Sequence, residues 1–157
     1  MNIDAVKETI RQVPDFPKKG ITFLDITTGI KNPEALQAMI DFLYDIYKDK
    51  KIDYVAGIES RGFIFGMPLA YKLNAGFIPI RKPNKLPANT IKESYDLEYG
   101  SDSIEIHADA VEKGANVVVI DDLLATGGTA TAACNLIKKA GGKVDSAAFI
   151  IELTPLK

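Results

Sequence analysis

Four β-branched residues in a row, Val117-Val118-Val119-Ile120, run without polar interruption into Asp121-Asp122. A strand that is apolar at every position buries both faces, which places it inside a sheet covered on either side. Such sheets are built from parallel strands joined by helical crossovers. The neighbouring segments keep that rhythm. Residues 54–58 and 77–80 read as short buried strands with a helix over 63–73 between them. Residues 129–140 read as a helix closed by Gly141-Gly142, and 144–153 as a last strand. The pattern predicts an α/β fold with a mainly parallel central sheet flanked by helices.

The N-terminal part departs from this repeat. Residues 3–13 read as a short amphipathic helix ended by Pro14, and 21–28 as an extended β-branched stretch. Asn32-Pro33-Glu34 marks a helix start: Asn32 can cap, Pro33 suits the first helical position, and Glu34 complements the dipole. Leu36, Ile40, Leu43 and Tyr47 follow at helical spacing. Residues 1–30 are expected to form a small hood over the sheet. Residues 82–103 are polar, rich in turn residues and charges, and show no clear period, which predicts a mobile functional loop. Residues 103–107 alternate like an exposed strand.

With 157 residues, 46% of them hydrophobic and 25% charged, the chain is about one globular domain. A net charge of -2 argues against a dedicated nucleic-acid binder. Cys134, the one cysteine, excludes an internal disulfide and a cysteine-rich metal site, and reads as a packed small hydrophobe. His107 reads as structural. The first twelve residues carry four charges, and no apolar run approaches the ~20 residues of a membrane span, so a cytoplasmic protein without a membrane partner is expected.

In open parallel sheets, ligands bind beyond the carboxyl ends of the strands. That rule selects Asp121-Asp122-Leu123-Leu124-Ala125-Thr126-Gly127-Gly128-Thr129. Gly127 and Gly128 let the backbone approach an anion, and the helix that follows offers free N–H groups. Thr126 and Thr129 add hydroxyl donors. Asp121 and Asp122 would repel a phosphate; adjacent carboxylates suit a ribose diol with a divalent cation close by. No P-loop lysine follows the glycines, and there is no G-x-G-x-x-G. The plainer alternative is a glycine-rich turn with the aspartates capping the helix. Gly57-Ile58-Glu59-Ser60-Arg61-Gly62-Phe63 is a second strand-to-helix turn at the same edge, where Arg61 either grips a pyrophosphate bidentately or is an ordinary surface arginine.

Residues 117–129, VVVIDDLLATGGT, closely resemble the phosphoribosyl pyrophosphate (PRPP) site of the type I phosphoribosyltransferase family. The E-S-R-G-F run, Arg81-Lys82 with Lys85 in I-R-K-P-N-K-L-P, and Glu98-Tyr99 in Y-D-L-E-Y-G are similar to segments of the family's adenine-using members. So are Phe16-Pro17 and G-I-T-F-L-D-I-T, which contains Phe23 and Leu24, and the likeness covers nearly the whole chain in order. It implies the family's fold and transfer of phosphoribosyl from PRPP to adenine, giving AMP and pyrophosphate. It implies that Thr126 to Thr129 hold the 5-phosphate with Leu124 and Ala125 also among the substrate-binding residues, that Asp121 and Asp122 hold the ribose, and that Glu59, Ser60 and Arg61 hold the pyrophosphate. Phe23 and Leu24 would help enclose the base. Arg61, Arg81 and Lys82 would offset the leaving charge, Glu98 would help the purine lose its proton, and Tyr99 would help close the site. Mg2+ bound with PRPP and a homodimer belong to the same resemblance. Ala125 stands where the 6-oxopurine members usually carry an acid, which favours adenine. Leu24 stands where a basic residue is common, and relatives run on beyond position 157. A phosphoribosyltransferase for another base, such as xanthine, is one rival. A PRPP-sensing regulator that binds nucleic acid is another, although it would usually show a basic surface or an added module.

Overall fold

The computed structural model describes residues 1–96, 100–124 and 127–152, in two compact units, Met1–Ile46 and Tyr47–Lys157. In the first, helix α1 (Ile3–Thr9) starts at Asn2, whose Oδ1 accepts from the Ala5 N–H at 2.8 Å. The helix expected to reach Val13 stops four residues short, because Arg11–Val13 forms strand β1 against Phe23–Asp25 (β2). The ladder and an Arg11–Asp25 ion pair of 2.7 Å outweigh local helix propensity. The extended stretch expected over 21–28 is likewise cut short. Asp25 Oδ1 accepts from the Thr27 N–H (3.0 Å) and hydroxyl (2.5 Å), and helix α2 (Thr27–Lys31) begins there. Helix α3 (Pro33–Tyr47) starts as expected, with Asn32 Oδ1 accepting from the N–H groups of Glu34 and Ala35 at 3.1 and 3.2 Å. It buries Ala35, Met39, Ile40, Leu43 and Tyr47.

The second unit carries strand β3 (Tyr54–Ile58), helix α4 (Arg61–Leu73), strands β4 (Gly76–Ile80), β5 (Thr90–Asp96), β6 (Ser101–His107) and β7 (Asn116–Leu124), helix α5 (Gly128–Lys139) and strand β8 (Lys143–Glu152). Four of these strands form a wholly parallel sheet in the order β4-β3-β7-β8. Val55, Val117, Val118, Val119 and Ile120 are fully buried in it, as unbroken apolar strands require. Helix α4 packs unusually close to the sheet. A Cβ on Gly62 would stand 2.7 Å from the Ile120 carbonyl oxygen, and one on Gly57 would stand 2.8 Å from the Gly62 oxygen.

The expected structureless loop over 82–103 is corrected. Strands β5 and β6 pair as an antiparallel hairpin, with Tyr95 opposite Asp102. Strand β5 does alternate: Ile91, Glu93 and Tyr95 are half-buried while Lys92, Ser94 and Asp96 are exposed. Its inward glutamate disguises the period, and that carboxylate meets Lys139 Nζ of α5 at 2.7 Å. The hairpin joins the edge strand β4 through one antiparallel bridge, Arg81 with Glu105. No helix among the described residues is long and apolar enough to cross a membrane.

Candidate functional site

The parallel direction of the sheet brings the β3–α4 and β7–α5 connections to one edge. There they enclose a cavity of about 260 Å³, lined by Ser60, Arg61, Asp121, Asp122, Gly128 and Thr129 among others. Each wall has a local cause. Gly127 adopts φ +87°, a left-handed conformation that suits glycine, and turns the chain into α5. The Thr131 N–H donates to the Gly127 carbonyl at 2.9 Å as the helix begins, which leaves the N–H groups of Gly128, Thr129 and Ala130 in the first turn of that twelve-residue helix without an intrahelical acceptor. A helix end of this kind attracts an anion through its dipole and free donors.

The two carboxylates lie within β7, not in the loop after it, because the ladder to β8 continues through Asp121 opposite Phe149 and Leu123 opposite Ile151. Asp121 Oδ1 accepts from the Asp122 N–H at 2.8 Å, and Asp122 Oδ2 pairs with Arg61 Nε at 2.5 Å. Burial, together with the neighbouring Asp122 carboxyl, pushes the Asp121 carboxyl up to about 8. A raised carboxyl pKa means that stability present below the unfolded value of 3.8 is lost as pH rises toward 8. Asp121→Asn removes that burden. In buffer without divalent cations or PRPP, its melting temperature should exceed the parent's by about 5 °C at pH 8, and the gap should close toward pH 4. Thermal scans across that range check this, and a gap independent of pH would contradict it.

Glu59 organises the flank. Its Oε1 accepts from Arg81 Nε at 3.1 Å and from the Lys82 N–H at 3.0 Å. Burial works to raise its carboxyl, but these hydrogen bonds and the charges of Arg81 and Lys85 prevail and hold it below its ordinary value. Lys82 lines an adjoining cavity of about 160 Å³ with Glu59, Tyr95, Asp121 and Thr129. Lys85 is exposed and lines neither cavity.

The structure thus brings together Glu59, Ser60, Arg61, Lys82, Asp121, Asp122, Gly127, Gly128 and Thr129, with Arg81 tied in through Glu59. Phe23 and Leu24 lie in the N-terminal unit on β2, where Phe16 meets the Phe23 ring edge-on at 5.3 Å. Glu98, Tyr99, Ala125 and Thr126 lie outside the described residues, as does the side chain of Leu124. Sequence reading missed Ala130 and Phe149 as cavity walls and Asp102 as a partner of Lys82. Only the strand register, which sets Phe149 beside Asp121, could have found the second of these. His107 Nε2 accepts from the Ala88 N–H at 3.4 Å, and Cys134 packs half-buried against the core with its thiol pushed up by burial.

Among the described residues no group of three or more His, Cys, Asp or Glu side chains could cage a metal. Asp121 and Asp122 supply one or two hard oxygen ligands, the donor set of an Mg2+ ion that keeps its waters and substrate phosphate oxygens.

A family model described as a phosphoribosyl transferase domain matches residues 27–154. An adenine phosphoribosyltransferase of Acidobacterium capsulatum is 55% identical over 157 residues, which is all of this chain and 87% of that protein. The crystal structure of adenine phosphoribosyltransferase from Thermoanaerobacter pseudethanolicus is similar, with a TM-score of 0.95 and 52% identity over 99% of this chain and 91% of that one. The Saccharomyces cerevisiae enzyme, solved with an imino-altritol bisphosphate and adenine, has a TM-score of 0.92 and 41% identity over 98% of this chain and 89% of its own.

Proposed function

The chain belongs to the phosphoribosyltransferase family, among proteins named adenine phosphoribosyltransferase, and on that premise we propose that it transfers the 5-phosphoribosyl group from PRPP to adenine, giving AMP and pyrophosphate. The observation that carries this reading is a single cavity that sets the anion-binding start of α5 beside two strand-borne carboxylates. The 5-phosphate sits on the first turn of α5, with Gly127, Gly128 and Thr129 as donors. Asp121 and Asp122 accept from the ribose hydroxyls on the neighbouring wall.

In the reaction the bond from ribose C1 to pyrophosphate breaks, a purine nitrogen bonds to C1, and that nitrogen's proton leaves. Negative charge gathers on the departing pyrophosphate, where Arg61, Arg81 and Lys82 offset it; Arg61 is preset by its pair with Asp122. Glu98 takes the purine proton and Tyr99 helps close the site. Phe23 and Leu24, within a hood formed by residues 1–30, cover the base. Asp121 and Asp122 would hold an Mg2+ bound with PRPP, and that ion would supply positive charge to the leaving pyrophosphate. The active form is a cytoplasmic homodimer. The exposed apolar stripe Ile64, Met67 and Tyr71 on α4 supports it, since contiguous apolar surface marks an interface.

Parallel assays with PRPP, Mg2+ and each of adenine, hypoxanthine, guanine and xanthine test the reading. Pyrophosphate release should require all three components and prefer adenine by at least about 10²-fold, since a site that hydrogen-bonds its substrate rejects an analogue that cannot match it by as much as about 10⁴–10⁵. Equal turnover with another base would overturn the choice of adenine, and absence of turnover with every base would overturn the assignment as an enzyme.

A further inference from the structure

We infer that Asp102, with Tyr95, is a positioning residue that holds the Lys82 ammonium at the cavity wall, ready for the pyrophosphate of PRPP. This rests on the reading of Lys82 given above. Lysine is a flexible four-carbon stem with a mobile point charge, and fixing it costs rotamer freedom. Left loose at an open edge, it would lose that freedom on each binding event. Here it is held at both ends. Its backbone N–H donates to Glu59 Oε1 at 3.0 Å. Its Nζ donates to Asp102 Oδ2 at 2.5 Å and to the Tyr95 hydroxyl at 2.9 Å, and lies 5.6 Å from the Tyr95 ring centroid.

The holder is itself fixed. Tyr95 and Asp102 are opposite each other in the β5–β6 register, so strand pairing sets their spacing. Asp102 Oδ1 accepts from the Ser103 N–H at 2.8 Å, which orients the carboxylate. The hydrogen bond to Asp102, followed by that to Tyr95, raises the Lys82 pKa above its ordinary value. An ammonium has three donors, and the hairpin takes two. The third remains for the cavity that Lys82 shares with Glu59, Asp121 and Thr129, residues that also border the phosphate cavity. Asp102 lines neither cavity, so its action runs through Lys82.

The test is a double-mutant cycle read by titration calorimetry with inorganic pyrophosphate and Mg2+. Asp102→Ala should weaken pyrophosphate about 10-fold, the scale of re-imposing the ordering cost of one lysine, and raise the KM for PRPP while that for adenine stays put. Asp102→Asn, which keeps an acceptor and drops the charge, should fall between. In a Lys82→Met background, removing Asp102 should change nothing further. Additive losses would overturn the inference, and so would unchanged affinity in Asp102→Ala and Asp102→Asn while Lys82→Met alone binds weakly. Normal affinity in Lys82→Met would instead take down the assignment of Lys82 to pyrophosphate, and this inference with it. Melting curves accompany each variant: a fall in stability without the coupling marks Asp102 as a hairpin brace only and also overturns it.

Discussion

Gly127→Val is expected to weaken PRPP and AMP binding by about 10³-fold, the loss of two or three charge-assisted hydrogen bonds of ~1.5–3 kcal/mol each. Two effects combine. Gly127 sits at φ +87°, where a β-branched side chain clashes with its own backbone. Relief of that clash rotates the peptide leading into α5, and the free N–H groups of its first turn no longer converge. A side chain at the cavity rim also excludes a phosphate that must touch main chain. Because only ligand-side groups are disturbed, the sheet should persist and the far-ultraviolet spectrum should match the parent's. Calorimetry with PRPP and with AMP checks the loss, and parental affinity would remove the start of α5 from the site.

Gly62→Ala is expected to act from the other wall, with a loss of about 1–3 kcal/mol of stability from overpacking. Its Cβ would stand 2.7 Å from the Ile120 carbonyl oxygen and 3.4 Å from the Asp121 Cα, and backbone cannot yield as a side chain does. Helix α4 must move outward. Arg61, the first residue of that helix, would then lose its 2.5 Å hold on Asp122. A displacement of about 1 Å at a charged wall costs catalysis about 10²-fold, so kcat/KM for PRPP should fall by that much. Denaturation midpoints and steady-state kinetics measure the two effects separately. A variant as stable and active as the parent would show that the close approach of α4 to β7 is not needed.

How far the sequence announces all this depends on whether the signal is local. Residues 54–58 and 117–120 are continuously apolar because the inner strands β3 and β7 are buried on both faces. Residues 77–80, on the edge strand, bury Ile78 and Ile80 and half-bury Phe77 and Pro79, so these strands can be read directly. Asn32 declares the start of α3 because a cap is a contact between near neighbours. Strand β5 hides because its inward position 93 is a glutamate, acceptable only through Lys139 of α5, 46 residues away in sequence (139 − 93). The site divides the same way. Asp121, Asp122, Gly127 and Gly128 lie within eight residues of the chain, so their spacing can be read directly. The Lys82–Tyr95–Asp102 cluster exists only once the hairpin register is set, and no pattern of residue types foretells it.

The short connection from β7 to α5 decides which heritable changes the site survives. The start of α5 offers main-chain donors, and every residue except proline supplies an N–H. Point changes away from the left-handed position of Gly127 therefore leave the donors in place. Insertions and deletions do not. Strand β7 ends at Leu124 and α5 begins at Gly128, so a residue gained or lost between them shifts the helix start against a strand held by its ladders to β3 and β8. The donors would then no longer stand beside Asp121 and Asp122. Drift in this segment is freer in composition than in length, Gly127 and changes to proline apart.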